Sequence, residues 1–274
     1  MLLLYLLNLF YSLNFMLYGI NINPVLPLRK EPAEQSEMIT QLLFGEHFTV
    51  LEEREKWLKI RNCADFYEGW ADRKMIILLN KDGFERLENE KNAFFVKNIF
   101  LFCENKKGDT IVLPAGSKLL FFNEKENTFG FSDQFKILSE NVTNEQTTVS
   151  ETAMLFLNAP YLWGGKTIFG IDCSGLTQVV FSLLGISLPR DAYQQAKCGE
   201  NVASLKEAKT NDLVFFTDRE GKISHVGILL DNERIIHASG KVRIDKIDEK
   251  GIIFEKKYTH KLHSIRRINV ECRI

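Results

Sequence analysis

The segment "CSGLTQVVFSLLG", residues 173–185, spaces its apolar residues as a helix does and ends on Gly185, a helix-stop signal. Three strand-like runs follow it: "DLVFFT" (212–217), "SHVGILL" (224–230) and "RIIHAS" (234–239). Only "DNE" (231–233) separates the last two, so they read as a tight antiparallel hairpin. A helix feeding antiparallel strands restricts this half of the chain to an α+β fold. A shorter helical stretch, "ETAMLFLNAP", precedes it and stops at Pro160.

The first half has a different texture. From Pro24 to about Asn80 the chain alternates short strands and polar turns: "VLPLR", "MITQLLFGEHFTVLEE" around Gly45, "WLKIRN", and "FYEGWADRKMI". Short strands at this spacing predict a small all-β barrel. From Lys91 to about Glu140, "NAFFVKN", "TIVLPAG", "KLLFF" and "TFGFS" predict a second one. "ENVTNEQTTVS" (140–150) is a polar linker, and its Asn141-Val142-Thr143 pattern reads as solvated chain. The expected division is 16–80 and 81–140 for the two barrels, 141–150 for the linker and 151–274 for the α+β domain.

Composition excludes some functions. A net charge of −1 with no Lys/Arg cluster gives no nucleic-acid surface. Five cysteines, at 63, 103, 173, 198 and 272, are odd in number and never form C-x-x-C. That argues against a disulfide framework and a zinc site, and for a reducing compartment. The uncharged start, "MLLLYLLNLFYSLNF" (1–15), lacks the basic residues and small-residue cleavage site of a signal peptide. Asn8 and Asn14 make it short for a membrane span. It reads as an upstream extension before Met16; an atypical export or membrane signal is the alternative. The expectation is a cytoplasmic monomer with no stable membrane anchor, no cofactor and no metal.

Cys173 stands at a predicted helix start, directly after a glycine-studded loop, "WGGKTIFGID". A helix N-terminus favours a thiolate and offers N–H groups to a developing oxyanion. Such a cysteine needs a histidine base and a third group to orient it. His47 lies in the first barrel. His260 and His263 fall in "KKYTHKLHSIRR", which reads as a solvated strand face. His225 and His237 sit in adjacent apolar strands, where one polar residue from each can meet on one face. Two histidines 12 residues apart, without further ligands at metal spacing, make zinc the weaker reading. Asp172 reads as the helix cap, and Gly164, Gly165 and Gly170 as bends near a substrate.

Two resemblances sharpen this. The order V-x-x-L-R, a Pro/Ser loop, L-x-x-G-E, W-x-K-I and G-W over residues 25–70 resembles bacterial SH3-type domains. "PYLWGGKTIFGIDCSGLTQVVFSLLGISLPRDAYQQ", "DLVFFT" and "ISHVGILLDNERIIHASG" resemble the catalytic domain of NlpC-family cysteine peptidases. The combination from Met16 is similar to the γ-D-glutamyl-L-diamino-acid endopeptidases, which cut peptidoglycan-derived peptides after L-Ala-γ-D-Glu. The resemblance implies a papain-like α+β domain behind two SH3-type barrels, with a murein tri- or tetrapeptide as substrate. It makes Cys173 the nucleophile, His225 the base and His237 its orienting group. Tyr161, Trp163 and Ser174 would line the groove. Asp191, helped by Glu68 of the first barrel, would bind the free amine of L-Ala, although Ala192 replaces the serine that usually follows the aspartate. The other readings are a wall-acting endopeptidase or amidase, a lipid acyltransferase on the same fold, and a wall-binding protein without catalysis.

Overall fold

Seven strands make the first sheet: β1 (Tyr18–Ile20), β2 (Val25–Arg29), β3 (Met38–Leu43), β4 (His47–Glu53), β5 (Trp57–Asn62), β6 (Glu68–Asp72) and β7 (Ile77–Leu79). The computed structural model describes residues 17–90, 94–138, 148–269 and 272. The expectations for residues 1–15 and for the linker at 141–147 lie outside the described residues. In β5, Leu58 and Ile60 are buried while Trp57, Lys59 and Arg61 face outward, the alternation of a half-buried strand. Leu26, Leu28, Phe48, Leu58 and Ile60 fill the interior.

Lys81–Glu88 forms a helix, α1, where the sequence reading has only the start of the second barrel. The local signals are there: the Asn80 side chain caps the Gly83 N–H, Asp82 sits in the first turn and Arg86 in the last. Next come β8 (Phe94–Phe95), β9 (Phe100–Asn105), β10 (Thr110–Pro114), β11 (Lys118–Leu119), β12 (Thr128–Phe129) and β13 (Phe135–Ile137). They pair as a four-stranded sheet, β10-β9-β13-β12, and a two-stranded one, β11-β8, around Phe44, Leu101, Leu113 and Phe129. Phe44 comes from the first barrel, so the two units share apolar packing.

The α+β domain opens with α2 (Val149–Met154), whose Thr148 and Glu151 form a reciprocal capping box. The hairpin β14 (Lys166–Thr167) and β15 (Gly170–Ile171) leads into α3 (Cys173–Ser182). Every residue of α3 from Cys173 to Phe181 is buried. Gly185, at φ 78°, ends it: Ile186 N–H bonds the Phe181 carbonyl and Gly185 N–H that of Ser182. Then follow α4 (Ala192–Gln195), β16 (Glu200–Val202), β17 (Leu213–Thr217), β18 (Ile223–Leu229), β19 (Arg234–Ser239), β20 (Lys241–Asp248), β21 (Gly251–Phe254) and β22 (Lys257–Arg267). The sheet order is β16-β22-β17-β18-β19-β20-β21, and β21 also pairs with β22, which closes strands β17 to β22 on themselves.

One face of that sheet (Leu213, Phe215, Val226, Ile228, Ile236) packs on Leu176, Val179 and Val180 of α3. Burying one such side chain contributes about 1.5–3 kcal/mol. Leu43 of the first barrel and Ala115 of the second join the same cluster. The barrels are therefore packed into the core that carries α3.

The cysteine reading needs one correction. Cys198 and Cys272 form a disulfide across 74 residues, with Cα atoms 5.5 Å apart. Their separation in sequence hides the pair, because the chain returns past α4 only after the whole sheet is built. Among the described residues no helix is long and apolar enough to cross a membrane.

Candidate active site

Asp172 builds the start of α3. Its carboxylate accepts the N–H of Gly175 (2.7 Å) and of Gly164 (2.8 Å), and both η-nitrogens of Arg190 donate to it, at 3.0 and 2.6 Å. Arg190 is 1% exposed; it also donates to Ser174 Oγ (2.8 Å) and, through Nε, to Thr40 Oγ1 of the first barrel (2.8 Å). One fully buried guanidinium thus ties the glycine loop, the helix start and the barrel together. Gly164 is needed for this assembly: at φ 77°, a Cβ on it would lie 2.5 Å from the Met38 carbonyl oxygen.

Cys173 is at the first position of α3 and 6% exposed. Its sulfur accepts backbone N–H groups of Ser174 and Val226. Val226 follows His225 on β18, which brings the thiol against that strand. Burial pushes the Cys173 thiol up to about 12, with Asp172 adding to it, and the two N–H donors only partly offset this. Burial, with His237, His260 and Arg243 nearby, holds His225 well below the usual imidazole range. Both effects favour an uncharged thiol and an uncharged imidazole.

The strand register brings the histidines together. Gly227 lies opposite His237, and His237 opposite Arg243. His225 is two residues from Gly227 and Asp245 two from Arg243, so all share one face. His225 Nε2 meets His237 Nδ1 at 2.9 Å, and His237 Nε2 meets Asp245 Oδ2 at 3.0 Å. His260, expected on a solvated face, is instead stacked on the His225 ring with centroids 4.2 Å apart. The register of β21 and β22 shifts between Ile252 and Ile253, and no local pattern marks such an irregularity.

A cavity of about 580 Å³ opens at Cys173, lined among others by Trp163, Ser174, Asp191, Tyr67 and Glu37. Trp163 Nε1 donates to Glu37 Oε1 at 2.8 Å. Tyr161 is half-buried near the thiol; burial first and then Cys173 push its phenol up to about 12. The Ser174 side chain is buried, with its hydroxyl held by Asp172 and Arg190. Asp191 stands in the cavity with the Tyr67 hydroxyl 3.2 Å from each carboxylate oxygen. Burial raises the Asp191 pKa, and Arg190, already engaged by Asp172, is its cationic neighbour.

Glu68 is a correction. Lys59 and Arg61 hold its carboxylate at 3.2 and 2.6 Å, and it does not line the cavity. Tyr67, one position before β6 begins, is the side chain that reaches Asp191. The sequence reading missed Tyr67, Glu37, Asp245 and His260. The "YE" pair pointed to the right place on the chain but not to the right residue. Among the described residues, His47, Cys63 and Glu88 form a trio of ligand types within 4.8 Å. His47 Nε2 already bonds Glu88 there, and none of the three lines the Cys173 cavity.

Residues 158–263 match the NlpC/P60 family, and residues 28–76 match the bacterial dipeptidyl-peptidase SH3 domain. The γ-D-glutamyl-L-lysine dipeptidyl-peptidase of Bacillus subtilis is 30% identical over 248 residues, covering 83% of this chain and 80% of the relative. The chain belongs to the NlpC/P60 family of cysteine peptidases. A second γ-D-glutamyl-L-lysine dipeptidyl-peptidase, from Bacillus cereus, is 27% identical over 256 residues, covering 80% of this chain and 74% of that one. The crystal structure of an NlpC/P60 family protein from Bacillus cereus superposes with a TM-score of 0.77, at 19% identity, over 91% of this chain and 99% of that one. That likeness extends the shared fold through both barrels.

Proposed function

We propose that this NlpC/P60 peptidase hydrolyses the γ-D-glutamyl–diamino-acid bond of peptidoglycan-derived tri- or tetrapeptides that carry a free N-terminal L-Ala, releasing L-Ala-γ-D-Glu. The observation that carries the reading is Asp191: a half-buried carboxylate in the cavity of Cys173, held by a barrel tyrosine and, among the described residues, in no ion pair. An ammonium group is the ligand that such a carboxylate lacks, and a buried charge pair discriminates strongly against a neutral end. The names of the relatives supply the bond and the diamino acid.

In this mechanism Cys173 Sγ attacks the γ-carbonyl carbon of D-Glu as its proton passes to His225. The tetrahedral intermediate collapses, the C–N bond breaks, and His225 returns the proton to the leaving amine. Water then gives a proton to His225 and attacks the thioester; the C–S bond breaks and the thiol is restored. His237 orients His225. A monomer suffices for this chemistry, which calls for no cofactor. A role in recycling wall peptides follows if the free amine is required. The Cys198–Cys272 bond removes one ground for a reducing compartment and supports the exported alternative.

The test compares L-Ala-γ-D-Glu-L-Lys with its N-acetylated form. Rapid cleavage of the first and very poor cleavage of the second is expected. Equal cleavage of both would refute the amine anchor and favour an endopeptidase acting on the wall itself. Cys173→Ser should lose nearly all turnover with the fold intact.

A further inference from the structure

We propose that Asp245 is a positioning residue that acts through His237 to set which nitrogen of His225 is left bare for the Cys173 proton. The proposal rests on the reading of Cys173 and His225 as nucleophile and base. Four side chains form one line: His225 Nε2 to His237 Nδ1 (2.9 Å), His237 Nε2 to Asp245 Oδ2 (3.0 Å), and Arg243 Nε to the same Oδ2 (2.8 Å). His237 is fully buried and the Asp245 side chain is 7% exposed, so water does not complete these contacts.

Donor and acceptor rules give the line one direction. Arg243 can only donate. Burial raises the Asp245 pKa, but the bonds from His237 and Arg243 outweigh it and hold the carboxyl below its ordinary range, so it only accepts. His237 must then carry its proton on Nε2. In the neutral chain that leaves His237 Nδ1 as an acceptor, which calls the His225 proton to Nε2. His225 Nδ1 remains bare, and it is the nitrogen not engaged by His237. Without the carboxylate the line has no fixed direction. The reverse arrangement puts a proton on His225 Nδ1 and blocks the base. The other ionisable groups facing the two rings are His260, stacked on His225 and lowered by burial to about 4, and Arg243.

The experiment pairs ¹⁵N NMR of the imidazoles in the full chain with kinetics of two variants. The unmodified protein should show the proton on Nε2 of both His225 and His237; a proton on His225 Nδ1 overturns the proposal, whatever the variants do. Asp245→Leu removes the acceptor and keeps the branched shape of the side chain. It should lower kcat about tenfold or more with KM little changed, since a wrong tautomer disables an intact site. It should also shift the acid limb of the kcat profile. Asp245→Asn can turn its amide N–H₂ toward His237 Nε2 and should lose kcat to the extent that ¹⁵N NMR shows the His237 proton moved to Nδ1. A folded Leu variant with kcat within twofold of the parent, or an Asn variant whose kcat does not follow the tautomer seen by NMR, overturns the proposal. Activity that survives His225→Ala would instead sink the underlying base assignment, and the NMR result would stand apart from it.

Discussion

Asp191 is the residue at which function and stability pull apart. Its folded-state pKa is raised by burial above that of the unfolded chain. The folded state therefore holds the proton more tightly, and stability falls as pH rises through that window. At neutral pH the ionised group is a cost that substrate ammonium would relieve. Asp191→Asn should leave the thermal midpoint at pH 7 unchanged or higher, while kcat/KM for the free tripeptide drops at least about tenfold. Thermal unfolding and steady-state kinetics on one preparation test both halves. In the unmodified enzyme, KM for the free peptide should rise as pH falls through the raised Asp191 value. A KM that does not respond would mean the carboxylate does not meet the amine. Tyr67→Phe removes the hydroxyl that bonds both oxygens of Asp191, and should raise KM more than it lowers kcat.

At the scale of the element, β18 and β19 work as a unit because Gly227 lacks a side chain. A Cβ there would lie 2.7 Å from Ile235 Cδ1 and 3.0 Å from His237 Cβ. Gly227→Ala must push β19 away or turn His237, and overpacking of this kind costs about 1–3 kcal/mol. The expected result is a lower thermal midpoint and a kcat loss much larger than a stability loss alone explains. A crystal structure of the variant with the His225–His237 contact intact and kcat unchanged would remove this account. Helix α3 depends in the same way on its first turn, where Asp172 caps the backbone and binds Arg190.

Across the whole molecule, two devices hold distant parts in place. Arg190 joins the α3 start to Thr40 in the first barrel, and buried Lys166 meets Glu46 of that barrel at 3.3 Å. Arg190→Leu leaves Asp172 buried without its cation, a change that costs about 3–5 kcal/mol. It should loosen the barrel and the nucleophile helix together, visible as protease sensitivity of both. The Cys198–Cys272 bond closes a loop of 74 residues around the sheet. In the chain-entropy account such a crosslink stabilises by about 4 kcal/mol. Cys198→Ala should lower the thermal midpoint while leaving a substantial part of kcat, because neither sulfur lines the Cys173 cavity. Thiol titration of the unfolded native protein should find three free cysteines, as at Cys63, Cys103 and Cys173. Five would show that the pair is not formed.

Local information was enough for the elements and for bringing His225 and His237 together. Apolar spacing marks α3, its glycine stop, and strands β17 to β19 within a residue or two, because helix and strand periods are written in consecutive side chains. The same strand alternation puts His225 and His237 on one face before any coordinates are known. Tertiary structure decided what no local pattern encodes. Asp245 joins the histidines through a diagonal register on β20, and His260 through the closure of β22 onto β21. Tyr67 rather than Glu68 meets Asp191, because the chain turns into β6 between them and Glu68 is held by Lys59 and Arg61 on its neighbouring strand. Cys198 and Cys272 meet only because the chain returns past α4 after the whole sheet is laid down. Each of these contacts joins residues whose separation in the chain carries no periodic signal, so packing of the finished elements is what brings them together.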